Sequence, residues 1–98
     1  LAAADSFRVT SELSRGGEVF ARPVLIVKPD EAGTLEVGGE HGFAYRVRVD
    51  ASGDHTLRVS LHLQVGDRTA SPVIVVRPSE PASVVEGDLS VKVLVEPQ

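Results

Sequence analysis

The chain has no cysteine, no tryptophan and no asparagine. Without cysteine there can be no disulfide, thiolate zinc site or cysteine nucleophile. Without asparagine there is no N-glycosylation sequon. Positive charge is also scarce: ten Lys and Arg against 14 Asp and Glu leave a formal charge of −4. That is the wrong sign for a protein that displaces counterions from nucleic acid. No apolar run exceeds the four residues of Val24 to Val27, whereas a helix needs ~20 to cross a bilayer. Aromatic residues make up only 4%, and the single Tyr45 alternates with core-facing Phe43 and Val47. Exposed aromatic platforms for carbohydrate are therefore not expected, and Tyr45 reads as buried with its hydroxyl satisfied.

What remains is an aliphatic chain of 98 residues, 42% hydrophobic and 24% charged, the size and balance of one folded domain with one core. Val, Leu and Ala dominate the apolar residues, and β-branched Val favours extended backbone. Arg outnumbers Lys eight to two, and with abundant Ala, Val and Gly this is the composition of a high-GC bacterial genome. The opening "LAAAD" reads either as the remnant of a signal-peptide cleavage region or simply as an arbitrary boundary of the chain. Residues 1–6 are thus expected to be processed or disordered, and 7–98 to form a single domain.

Period-two alternation runs through the chain. Phe7, Val9 and Leu13 fall on one face of "FRVTSEL", with Arg8, Thr10 and Glu12 on the other. Phe43, Tyr45, Val47 and Val49 alternate with Ala44, Arg46, Arg48 and Asp50. Leu57, Val59, Leu61 and Leu63 alternate with Arg58, Ser60, His62 and Gln64, and Val91, Val93 and Val95 with Lys92, Leu94 and Glu96. These are strands with one face on a core and one in water. Glycine turns separate them at "SRGGE", "VGDR" and "DASGDH", and no stretch carries helical periodicity. Val47, Val59, Leu61, Val75 and Val93 are expected in the core.

The chain also repeats itself. "ARPVLIVKPDEAGTLEVG" at 21–38 returns as "ASPVIVVRPSEPASVVEG" at 70–87. "FRVTSELSRGGEVFARP" aligns with "LRVSLHLQVGDRTASP", reading one glycine extra in the first copy, and "FAYRVRV" aligns with "LSVKVLV". Each unit, 7–50 and 56–96, reads as strand, glycine turn, strand ending in Lys/Arg-Pro, short strand, turn and strand. Half the chain cannot bury its own apolar face, but two stacked or interleaved units can. The expected fold is an all-β, two-repeat antiparallel sandwich of about eight strands, with a small barrel as the alternative.

The repeated unit resembles a short motif of the bacterial secretins, the outer-membrane pores of secretion and pilus systems. Their pore domain carries a strand with a proline, then a turn, then alanine and a strand ending in glycine. The matching positions here are Pro72, the Glu80-Pro81-Ala82 turn and Gly87, echoed by Pro23, Glu31 and Gly38. The paired units with "PVLIVKPDE" also resemble β-rich periplasmic tail domains of proteobacterial envelope proteins, including those of antirepressor-type metallopeptidases. The metallopeptidase motif His-Glu-x-x-His does not occur in this chain, so no catalytic residue carries over. Both resemblances imply the bacterial envelope, periplasmic or secreted, and neither implies an activity.

Catalytic and metal patterns are weak. His41, His55 and His62 include no pair at ligand spacing. No Gly-x-Ser-x-Gly elbow is present, and no helix follows the glycine pairs to make a phosphate cradle. The sequence therefore reads as non-enzymatic and without a cofactor. Two constellations carry the functional expectation. Arg46 and Arg48 point outward on one strand and Arg58 on the next, with Arg48 and Arg58 expected nearly opposite. They form a patch for a carboxylate, phosphate or anionic protein surface. Lys92, Leu94 and Glu96 are expected on the outer side of a C-terminal edge strand, open to strand addition. The leading expectation is a protein-interaction or structural module of the envelope, meeting a protein partner or itself through a sheet edge or polar face, without nucleic acid or membrane insertion. The alternative is a small-molecule or anion binder using the arginine patch.

Overall fold

A computed structural model describes residues 5–98, so the opening segment expected at 1–6 lies outside the described residues except for Asp5 and Ser6. Ten strands follow: β1 (Phe7–Arg15), β2 (Glu18–Ala21), β3 (Val24–Val27), β4 (Ala32–Val37), β5 (Phe43–Ala51), β6 (Leu57–Val65), β7 (Arg68–Ala70), β8 (Val73–Val76), β9 (Ala82–Glu86) and β10 (Leu89–Pro97). They form two antiparallel five-stranded sheets. One runs β2-β1-β10-β9, with β3 following β2 along the same side of β1. The other runs β4-β5-β6-β7, with β8 following β7 along β6. The sheets are open, so the all-β sandwich holds and the closed barrel does not.

The strand count is ten, not eight, because a proline splits the second strand of each half. Pro23 and Pro72 have no N–H for the ladder. Their carbonyls still accept from the neighbouring strand, Ser11 N–H to Pro23 O and Leu61 N–H to Pro72 O, each 2.9 Å. The edge is thereby cut into β2 plus β3, and β7 plus β8.

Neither half makes a sheet alone. β1, β2 and β3 pair with β9 and β10, while β4 and β5 pair with β6, β7 and β8. The chain changes sheets at Lys28–Glu31 and again at Arg77–Glu80. The two crossings match bond for bond. Asp30 N–H donates to Val49 O at 3.0 Å and Ser79 N–H to Val95 O at 2.7 Å; Glu31 N–H donates to Lys28 O and Glu80 N–H to Arg77 O. Asp30 and Ser79 also share a left-handed backbone, φ 63° and 64°. Ladder registers correspond as well. Phe7↔Val27 in one sheet answers Leu57↔Val76 in the other, and Ser11↔Val93 answers Leu61↔Val47.

One register departs from the match, and it corrects the alignment. Both glycine turns have the same two-residue length, Arg15↔Glu18 and Val65↔Arg68. The extra residue of the first half is Phe20, bulged where Ser14↔Val19 is followed by Leu13↔Ala21.

The core lies between the sheets: Val9, Leu13, Tyr45, Val47, Val49, Val59, Leu61, Leu63, Val91, Val93 and Val95 are all buried. Val75, expected among them, is 60% exposed, and Val76 faces inward instead. Four consecutive apolar residues have no alternation to reveal their phase. Pairing sets it, with Arg58↔Val75 sharing the wet face and Leu57↔Val76 the dry one.

Candidate functional site

Arg46, Arg48 and Arg58 lie exposed on the outer face of the second sheet, as their alternation predicts. The register separates Arg48 from Arg58, however: Arg48 stands opposite Ser60, and Arg58 opposite Asp50. The expected juxtaposition of the two arginines across the ladder is therefore absent. Arg48 instead bonds Asp50, Nε to Oδ1 at 3.1 Å. A side-chain hydrogen bond shared with Asp30 holds Asp50 below the ordinary carboxylate range, helped by Arg48 and Arg58, and the same bond raises Asp30. Arg46 stands opposite His62 and has no ion-pair partner among the described residues. His62 Nδ1 lies 2.7 Å from Ser71 Oγ. Between these side chains is a shallow groove of ≈ 320 Å³ lined by Arg46, Arg48, Ser60 and His62.

The interaction edge assigned to Lys92, Leu94 and Glu96 is corrected. β10 is interior to its sheet, with β1 on one side and β9 on the other, and Leu94 is half-buried opposite Thr10. Being last in the chain does not make a strand an edge when the halves exchange strands: β10 enters beside β1, the first strand.

The true edges are β9 and β2/β3 in one sheet, β4 and β7/β8 in the other. Two of them are apolar on the wet side. Val24 and Ile26 on β3 are 55% and 60% exposed, and Val73 and Val75 on β8 are 60% each. Direction alternates along a strand, so the Leu61 to Pro72 bond fixes Pro72, Ile74 and Val76 toward β6. Val73 and Val75 then turn both N–H and C=O to the open side. The Ser11 to Pro23 bond fixes Val24 and Ile26 likewise. The signal for these four residues was in the sequence: two unalternated apolar runs, each bracketed by prolines, reading as buried but lying where only one side is covered.

At the glycine-turn end, Val19, Phe20, His41 and Val65 line a cleft of ≈ 290 Å³. Phe20 meets Phe43 edge to face, centroids 5.4 Å apart. Acidic and imidazole groups do not converge: among the described residues no three His, Cys, Asp or Glu gather at metal-binding distance. The chain matches no protein-family model, no curated protein and no solved structure.

Proposed function

We propose that this domain is a non-enzymatic protein-interaction module of the bacterial envelope, receiving an extended segment of a partner protein along β3 or β8. One observation carries the reading: each of these edge strands couples open backbone groups to two exposed aliphatic side chains. Backbone pairing supplies affinity in strand addition, and alternate side chains supply selection. The matching registers support reading the two halves as copies of one unit, each with its own receiving edge. The envelope setting is carried by the resemblance of residues 70–87 to the secretin motif, and the bacterial source by the Arg-, Ala- and Val-rich composition.

Extended peptides selected from a displayed library against the purified domain test the reading, followed by hydrogen-exchange mapping of the bound state. Protection at Val24 and Ile26, or at Val73 and Val75, is expected, with loss of binding in V75K. Selected peptides that protect only the outer faces of β5 and β6 would overturn it.

A second reading rests on Arg46, whose guanidinium has no ion-pair partner among the described residues and lies beside the Ser60–His62 groove. Inorganic phosphate should then raise the melting temperature, and Arg46→Ala should abolish the rise. No shift at millimolar phosphate eliminates this reading.

A further inference from the structure

The other two edges, β4 and β9, occupy corresponding places and differ sharply. Which backbone groups they leave open follows from the bond series already given. Odd-numbered residues of β6 bond toward β8, so its even-numbered residues bond β5, and the odd-numbered residues of β5 bond β4. The Asp30 N–H to Val49 O bond continues that series. Ala32, Thr34 and Glu36 therefore turn N–H and C=O to the open edge, with their side chains exposed on the same face as Arg46 and Arg48. The corresponding residues are Pro81, just before β9, and Ser83 and Val85 on it. Pro81 has no donor to offer, so that edge is blunted. In place of Glu36 it carries Val85, and in place of Arg48 the neighbouring strand carries Leu94.

We propose that a second copy of this chain pairs with β4, antiparallel and two-fold symmetric about Thr34. This pairing places Thr34 opposite Thr34 and Ala32 opposite Glu36 of the other copy, twice over by symmetry. Every open donor and acceptor of residues 32, 34 and 36 is used. Charge then decides in favour of self-pairing. Across the new ladder one row reads Arg48, Ala32, and then Glu36 of the other copy, since Arg48 stands opposite Ala32 in its own sheet. Strands lie ~4.8 Å apart, so these arginine and glutamate Cβ atoms are about 10 Å apart, a span that their extended side chains close over the small Ala32. Arg48 has the donors for it: Asp50 engages Nε, and among the described residues the other two guanidinium nitrogens form no hydrogen bond to a side chain. Glu36 has no ion-pair partner within its own chain among the described residues. The arginine patch thus has an anionic partner of stated identity, and the association goes beyond the β3 and β8 reading because it uses neither strand.

Sedimentation velocity across a concentration series, at low and high salt, tests the pairing on the whole chain. A reversible dimer that weakens with salt is expected. Glu36→Arg and Arg48→Glu, each alone, put like charges in both rows and should weaken dimerisation about tenfold or more. An equimolar mixture of the two variants restores opposite charges in both rows, so it should dimerise where neither variant does. That recovery cannot come from a folding defect, and unchanged thermal melts confirm folding separately. Ala32→Pro, which copies the blunted β9, should abolish the dimer, whereas V75K should leave it intact. A chain that stays monomeric throughout the series overturns the proposal, as does a dimer indifferent to Glu36→Arg or a mixture that fails to recover. A dimer lost in V75K assigns the contact to β8 instead and also overturns it.

Discussion

At the centre of the core the two halves part company. Ser11 on β1 reaches across the sandwich to Tyr45 on β5, hydroxyl to hydroxyl at 2.7 Å. The corresponding positions on β6 and β10 hold Leu61 and Val91, both buried. The surrounding ladders keep the same register, so one backbone accepts either a polar pair or an apolar contact. It does so because the polar pair is complete: among the described residues no buried side-chain nitrogen or oxygen lacks a partner. A hydroxyl alone in either place would cost free energy, whereas two that bond each other offset their own desolvation.

Mixing the two solutions should therefore produce the largest loss. Leu61→Ser deletes a buried side chain and leaves a hydroxyl facing Val91-type surroundings, and should cost ~3–5 kcal/mol. Urea unfolding with an unchanged m-value measures it. A loss below that of Leu61→Ala would mean the new hydroxyl finds a partner, and the apolar site would be less dry than its burial indicates.

The polar site is open to a direct optical test, since Tyr45 is the only tyrosine and tryptophan is absent. Burial pushes its pKa up from 10 to about 12, with the Ser11 bond pulling the other way. A raised folded-state value means the folded chain holds the phenolic proton more tightly than the unfolded one. That stability is fully present below pH 10 and is lost as the pH rises toward 12, an amount of ~2–3 kcal/mol. Tyrosinate absorbance should stay silent at pH 10–11 and then appear together with unfolding. A smooth titration near pH 10 in the folded protein would show Tyr45 to be accessible.

A smaller asymmetry sits where β4 and β9 begin. A Cβ added to Gly33 would lie 2.6 Å from Val27 Cγ1, and valine is stiff at χ1. The corresponding residue on β9 is Ala82, accommodated without a glycine. Gly33→Ala should therefore cost ~1–2 kcal/mol despite higher strand propensity, and Ala82→Gly ~0.5–1 kcal/mol through backbone entropy. Differential scanning calorimetry of both variants separates them, and a stabilised Gly33→Ala would mean Val27 yields.

These asymmetries also show what was legible beforehand. Alternation revealed β1, β5, β6 and β10, their faces, and the buried Tyr45, because period two is imposed by a core on one side only. It could not phase "VLIV" and "VIVV", where both faces are apolar, so Val75 was placed inward and the exposed edges β3 and β8 were missed. Nor does a linear pattern tell which strands are neighbours. Strand exchange between the halves put β10 in the interior, dissolving the expected edge at Leu94, while the hairpin joining β5 to β6 set Arg58 opposite Asp50 and dissolved the expected Arg48–Arg58 pair. The arginines were correctly placed on a wet face, but their neighbours were not, because register depends on a turn length at 51–56 that composition leaves open.

The weakest expected difference is at the glycine-turn end. One corner is closed: Arg15 Nε meets Asp88 Oδ2 at 3.2 Å, and Gly16 N–H donates to Asp88 O at 2.8 Å. At the other corner Val65 stands in place of Arg15, and the longer 38–42 loop leaves the cleft beside Phe20. The closed corner looks pinned by its ion pair, but both side chains are more than a third exposed, 42% and 37%. Water and salt screen such a pair, and holding two long side chains costs entropy. Asp88→Ala removes the charge and keeps the backbone bond, so it should cost only ~0.5 kcal/mol in urea unfolding at low salt. The gap from the parent chain should close further in 1 M salt, where the Debye length falls to ~3 Å. Were the loss instead well above ~1 kcal/mol and insensitive to salt, Asp88 would hold the turn through more than charge. The two corners would then differ by a structural clamp and not merely by loop length.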